Sequence, residues 1–118
     1  MSLLDTSVII EMLRRKKFEI GSISILTLIE ILRGIKAEKR RRVKELLEKS
    51  FNIIPLDNEV IEVYCTLYRK LREDGKILPD VDLLIAATAI SRDLLLKTRD
   101  EHFMRLKNYG LKLSHEIV

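Results

Sequence analysis

Four acidic residues stand in contexts where an ionised side chain is costly. Glu30 is set between Leu28-Ile29 and Ile31-Leu32, and Asp82 directly precedes Leu83-Leu84-Ile85-Ala86-Ala87. Asp5 follows the apolar start Ser2-Leu3-Leu4, and Asp100 closes Thr98-Arg99-Asp100 after the run Leu94-Leu95-Leu96. A charge taken out of water is unfavourable unless something compensates it. Two carboxylates about 4 Å apart repel by roughly 4 kcal/mol at an effective dielectric of about 20, so acids brought together call for a cation. A dication turns that repulsion into attraction. An oxygen-only donor set suits a hard ion, Mg²⁺ or Mn²⁺, rather than zinc. A Cys/His zinc site lacks ligands, because Cys65 is the one cysteine and His102 and His115 are the two histidines.

Each acid also has an ordinary reading. Asp5 and Asp100 stand where a helix cap is wanted, and Asp82 falls where an acid in a first helical turn complements the helix dipole. Glu30 can pair with Arg33 three residues on. Spacing alone leaves these alternatives open.

The elements that must position the acids alternate along the chain. Residues 2–4 read as a strand running into a helix that carries Val8, Ile9, Met12 and Leu13 on one side, with Asp5-Thr6-Ser7 able to cap it. Residues 20–25 hold a brief strand, after which Ser24 or Thr27 caps a helix that stops at Gly34. Residues 36–50 form a basic surface helix, 51–56 a strand, and a long helix runs from Asp57 or Asn58 to Gly75. Pro79-Asp80 opens an Ala-rich helix through Ala89, with the Asp80 side chain placed to cap it. Residues 94–96 form a strand, 100–108 a short helix and 111–113 a last strand. Such alternation predicts an α/β fold with a mainly parallel sheet and helices on both faces, because parallel neighbours require crossovers. Ligands of such sheets bind beyond the carboxyl ends of the strands, where Asp5 and Asp100 fall.

Composition narrows the classes further. A chain of 118 residues favours one domain, here 1–118, with one core. With 47% hydrophobic and 34% charged residues it is neither disordered nor fibrous. Its net charge of +4 suits a polyanionic partner. No apolar stretch approaches the roughly 20 residues that cross a bilayer, and a lone cysteine fits a reducing, cytoplasmic setting. Tyr64, Tyr68 and Phe51 read as core or subunit interface, His102 as a capping or packing residue, and Cys65 as an inert core residue.

Taken together, Leu3-Leu4-Asp5-Thr6-Ser7, Thr27-Leu28-Ile29-Glu30 with Gly34, Asp82-Leu83-Leu84-Ile85-Ala86-Ala87-Thr88-Ala89 and Thr98-Arg99-Asp100-Glu101-His102-Phe103 resemble PIN domains, especially VapC-type toxins. The match runs in order over almost the whole chain. The resemblance implies a three-layer α/β/α fold in which Asp5, Glu30, Asp82 and Asp100 form an acidic pocket that holds Mg²⁺ or Mn²⁺ and hydrolyses RNA. It implies supporting roles for Thr6 and Ser7, whose hydroxyls can orient a water or a carboxylate, and it selects Asp82 over Asp80 for the pocket. It also implies a small antitoxin protein as partner and a homodimer. RNA approaching an acidic pocket needs cations, for which Arg33, Arg14, Arg15, Lys16, Lys17 and the run from Arg40 to Arg42 are available; an ordinary solvated helix face explains that run as well.

Competing readings are weaker. Haloacid-dehalogenase-like phosphatases need a second Asp two residues after the first, and position 7 is Ser. A dinucleotide-binding fold needs a Gly-x-Gly-x-x-Gly turn that is absent. The non-enzymatic alternative is a PIN-like module that binds RNA or protein without cutting.

Overall fold

A computed structural model describes residues 1–114. His115 and the last few residues of the 1–118 span lie outside the described residues. The elements run β1 (Ser2–Leu4), α1 (Thr6–Arg15), β2 (Ser22–Ser24), α2 (Ile25–Arg33), α3 (Ala37–Ser50), β3 (Asn52–Ile54), α4 (Asn58–Glu73), α5 (Asp80–Ser91), β4 (Leu95–Lys97), a 3₁₀ helix (Glu101–Tyr109) and β5 (Leu113–Ser114). The five strands form one sheet in the order β3-β2-β1-β4-β5, with every neighbouring pair parallel.

Strand β1 lies at the centre and shows why the sheet is covered on both faces. Successive strand residues point to opposite sides. Leu3 packs into a cluster with Leu67 and Leu71 of α4, Leu83 and Ala86 of α5 and Leu106 of the 3₁₀ helix. Leu4 packs the other way, with Val8 and Met12 of α1, Leu28 and Ile31 of α2 and Leu47 of α3. Both leucines are fully buried, and each such side chain contributes about 1.5–3 kcal/mol by leaving water. The result is the expected three-layer α/β/α arrangement. Helix α5 is apolar on nearly every side, and its buried Ala86, Ala87 and Ala89 let neighbouring elements approach closely.

Several boundaries and placements differ from the sequence expectation for local reasons. Strand β4 begins at Leu95 rather than Leu94, because Asp93 adopts a left-handed conformation (φ 53°) and Leu94 N–H bonds back to Ala89 O at 2.9 Å. Leu111 N–H likewise closes onto Leu106 O, which delays β5 to Leu113. The helix expected over 100–108 is a 3₁₀ helix. Asp80 does not cap α5: Pro79 occupies the cap position with no side-chain cap, and Asp80 is already helical. Cys65 is exposed on α4 rather than buried in the core. No helix among the described residues is long and apolar enough to cross a membrane.

Candidate active site

The sheet reverses its order between β1 and β4: from β1 the chain moves outward to β2 and β3, and from β4 it moves outward the other way to β5. At such a switch point the connections part to opposite faces and leave a crevice beyond the strand ends. Asp5 leaves β1 there and Thr98 leaves β4 there. Asp5 N–H bonds to Lys97 O at 3.1 Å, which holds the two strand ends side by side.

Asp5 is the cap of α1 and is 5% exposed. Its Oδ1 accepts from Ser7 N–H at 3.0 Å, Ser7 Oγ at 2.6 Å and Val8 N–H at 3.3 Å, and its Oδ2 accepts from Thr98 Oγ1. The capping reading of Asp5 therefore holds, in a side chain that stands at the crevice. Burial pushes its carboxyl above the usual range, while the hydrogen bonds from Ser7, Thr98 and Val8 act in the opposite sense.

Asp82, in the first turn of α5, shows how the acids sit relative to one another. Its carboxyl is raised first by burial, then by the negative charges of Asp100 and Glu30, and to a lesser degree by Asp5; His102 alone pulls it down. The other three acids thus lie within electrostatic reach of Asp82. Asp82, Asp100 and His102 each present a ligand atom within 4.8 Å of the other two. This donor set fits a divalent cation. Half-buried like charges repel, and among the groups acting on Asp82 the exposed His102 relieves that repulsion. The set differs from the oxygen-only one expected: the imidazole of His102 joins two carboxylates, and Asp5 and Glu30 fall outside the group.

The remaining expected residues fall at varying distances from this centre. Thr6 Oγ1 donates to Glu30 Oε1 at 2.7 Å, tying α1 to α2 and orienting that acid. Glu30 also lies 3.7 Å from Arg33, whose side chain is 72% exposed. Ser7 is inside α1 and holds Asp5 rather than capping the helix itself. Asp80 accepts from Tyr64 Oη at 2.7 Å, an engagement with α4 and not with the other acids. Asp100 caps the 3₁₀ helix through His102 N–H at 2.9 Å. His102, expected to cap or pack, is exposed and turns Nδ1 to 3.1 Å from Asp100 Oδ1. Arg14 pairs with Glu11 at 3.3 Å, while Arg40 donates to Ile35 O on the exposed start of α3. Tyr64 is half-buried against the core, Phe51 is buried and Tyr68 is exposed.

Sequence reasoning missed Thr98, Arg99 and Glu11. Thr98 is fully buried with its hydroxyl on Asp5. Its position two residues before Asp100, at a strand end, was the available signal. A separate cavity of about 280 Å³, lined by Val63, Leu67, Ile90 and Tyr109 among others, contains none of the four acids.

Comparison with known proteins identifies the family and the fold. The family model described as PIN domain matches residues 2–109. Ribonuclease VapC1 of Methanocaldococcus jannaschii is 39% identical over 115 residues, covering 94% of this chain and 85% of that protein. Among solved structures, VapBC-5 from Mycobacterium tuberculosis, of the VapBC family of toxin-antitoxin systems, superposes with a TM-score of 0.69 at 28% identity, covering 99% of this chain and 98% of that one. VapBC-1 from nontypeable Haemophilus influenzae has the same fold, with a TM-score of 0.80 at 23% identity over 96% of each chain.

Proposed function

The chain belongs to the PIN-domain family, and on that premise we propose that it is a metal-dependent endoribonuclease, the toxin of a VapBC-type toxin-antitoxin pair. The observation that supports the reading is that Asp82 and Asp100 present ligand atoms within 4.8 Å of each other and of His102, with Glu30 and Asp5 near enough for their charges to act on Asp82. Asp5, Glu30, Asp82 and Asp100 would hold Mg²⁺ or Mn²⁺, in a single nuclease domain spanning 1–118. When bound, the dication supplies Lewis acidity, making water a stronger acid and offsetting the charge that gathers on the phosphate.

The chain's own residues do the rest. Ser7 and Thr98 fix the two oxygens of Asp5, and Thr6 fixes Glu30, so the carboxylates need not reorganise as charge develops. A carboxylate of this group left free by the dication would accept the proton of the attacking water. The oxygen of that water forms the new bond to phosphorus and the bond to the 3′ oxygen breaks. The products are a 5′-phosphate and a 3′-hydroxyl, the leaving oxygen taking its proton from solvent. The carboxylates act as ligands and bases, never as nucleophiles.

A small antitoxin protein covers the acidic crevice, a reading supported by relatives solved as VapBC complexes, and two copies of the chain pair as a homodimer. The exposed thiol of Cys65 favours a reducing, cytoplasmic setting. The test is cleavage of RNA by the purified chain: chelation should abolish it, added Mn²⁺ or Mg²⁺ should restore it, and the new ends should carry 5′-phosphates. RNA binding without cutting under every metal condition would instead identify a binding module.

A further inference from the structure

The segment Thr98-Arg99-Asp100 alternates its side chains across the rim of the site. Thr98 turns inward to Asp5, and Asp100 joins Asp82 and His102. Arg99, between them, turns outward: its side chain is 49% exposed and its Nη1 lies 3.0 Å from Glu11 Oε2 on α1. Its backbone N–H donates to Ser7 Oγ at 3.1 Å, the hydroxyl that in turn donates to Asp5. Ser7 and Glu11, four residues apart, share one face of α1. Arg14 and Arg15 reach back along that face to the same carboxylate, Arg14 at 3.3 Å from Oε2 and Arg15 at 2.7 Å from Oε1.

Three guanidiniums on one carboxylate leave two positive charges uncompensated beside the acidic crevice. One arginine suffices to neutralise Glu11, and exposed ion pairs add little to stability, so the fold does not require the other two. Each guanidinium has five donors in a planar fork, of which the carboxylate uses one or two; the rest face water. That fork matches phosphate oxygens, and Glu11, itself 8% exposed, holds the forks in place before a ligand arrives. We propose that Arg99, Arg14 and Arg15, gathered by Glu11 along α1, form the seat for the phosphates of an unpaired RNA strand flanking the scissile bond; this deepens the ribonuclease reading and rests on it. The seat draws in a polyanion that the four carboxylates would otherwise repel.

The test is binding of a short unpaired RNA oligonucleotide in EDTA, where no cleavage occurs, by the full chain and three variants. Arg99→Gln removes a seat residue. Lys112→Gln removes an equal charge from the opposite end of the sheet, where Lys112 pairs with Asp93 at 2.7 Å. Arg99→Lys keeps the charge without the fork. Arg99→Gln should bind about three- to tenfold more weakly at low salt, and the slope of log affinity against log salt should fall by about 0.7, one phosphate contact. Lys112→Gln should change neither, and Arg99→Lys should recover only part of the affinity. In cleavage with metal, Arg99→Gln should raise KM and leave kcat. Should Arg99→Gln melt early, Arg15→Gln, which removes one guanidinium from the same carboxylate, replaces it, with the same outcomes expected. Equal losses in Arg99→Gln and Lys112→Gln would reduce the effect to net charge and overturn the seat. Unchanged RNA affinity in Arg99→Gln would overturn it too, as would retention of an acidic protein segment in place of RNA. A wild-type chain that binds RNA through these arginines but never cuts it would refute the ribonuclease reading and leave the binding result standing.

Discussion

Thr98 Oγ1 donates a hydrogen bond to Asp5 Oδ2 across 93 residues of sequence, at the point where β1 and β4 part. The bond fixes a buried carboxylate that burial alone would leave easier to protonate. Thr98→Val keeps the side-chain shape and removes the donor. Loss of a group that orients a metal ligand costs about 10- to 100-fold in metal affinity or activity. A titration of cleavage against Mn²⁺ should therefore move its midpoint upward in this variant, with the fold unchanged by circular dichroism. A midpoint equal to that of the wild type would mean that Asp5 needs no such support.

Asp82 links the site to stability. Its carboxyl is raised in the folded chain by burial and by Asp100 and Glu30. A raised folded-state pKa stabilises the fold while the group is protonated, below its unfolded value, and that contribution is lost as pH rises through the folded value. In EDTA at neutral pH, Asp82→Asn should then melt above the wild type, and the two should converge in acid. Divalent metal should raise the melting temperature of the wild type more than that of the variant, because only a ligand that binds the folded state stabilises it. Thermal scans across pH, with and without Mn²⁺, measure both effects.

Asp80, two residues earlier, should behave differently. Its bond to Tyr64 pushes the phenol up to about 12. Asp80→Asn should return Tyr64 toward its ordinary range in an absorbance titration and keep most of the cleavage. Tyr64→Phe identifies which phenol moves. Abolished cleavage in folded Asp80→Asn would place its carboxylate among the working acids.

Much of this was legible because chemistry-bearing residues sit at positions the fold type defines. Asp5 and Asp100 follow strands whose carboxyl ends face the crevice, and Glu30 and Asp82 stand out as charges within apolar helical runs. What could not be read was short or depended on phase. Strands of three residues carry too little pattern to fix their ends, so Leu94 reads as strand until the left-handed Asp93 and the Leu94 bond to Ala89 are seen. Cys65 lies in a run of apolar residues, yet the buried positions of α4 are Val60, Leu67 and Leu71, which turns 65 to the solvent side. Arg99 and Glu11 are ordinary charges in sequence and become neighbours only when β4 is laid beside β1.

A further relationship bears on acid stability alone. Arg92 holds Asp57, the cap of α4, with its two terminal guanidinium nitrogens, and lowers its carboxyl below the usual range. A lowered folded-state pKa contributes stability above the unfolded value that is lost as pH falls through the folded one. Asp57→Asn retains a good capping side chain but loses the ion pair, so its small melting deficit at neutral pH should vanish in strong acid. A deficit independent of pH would assign the effect to capping.

The central claim is that the four carboxylates form a metal site at which RNA is cut. Its most direct test is cleavage of one RNA by wild type and Asp82→Asn in parallel, titrated with Mn²⁺ from a fully chelated start. Neither protein should cut in EDTA, the wild type should cut saturably as metal is added, and folded Asp82→Asn should lose about a hundredfold or more. Undiminished wild-type cleavage in excess EDTA, or a full metal response in Asp82→Asn, would contradict it.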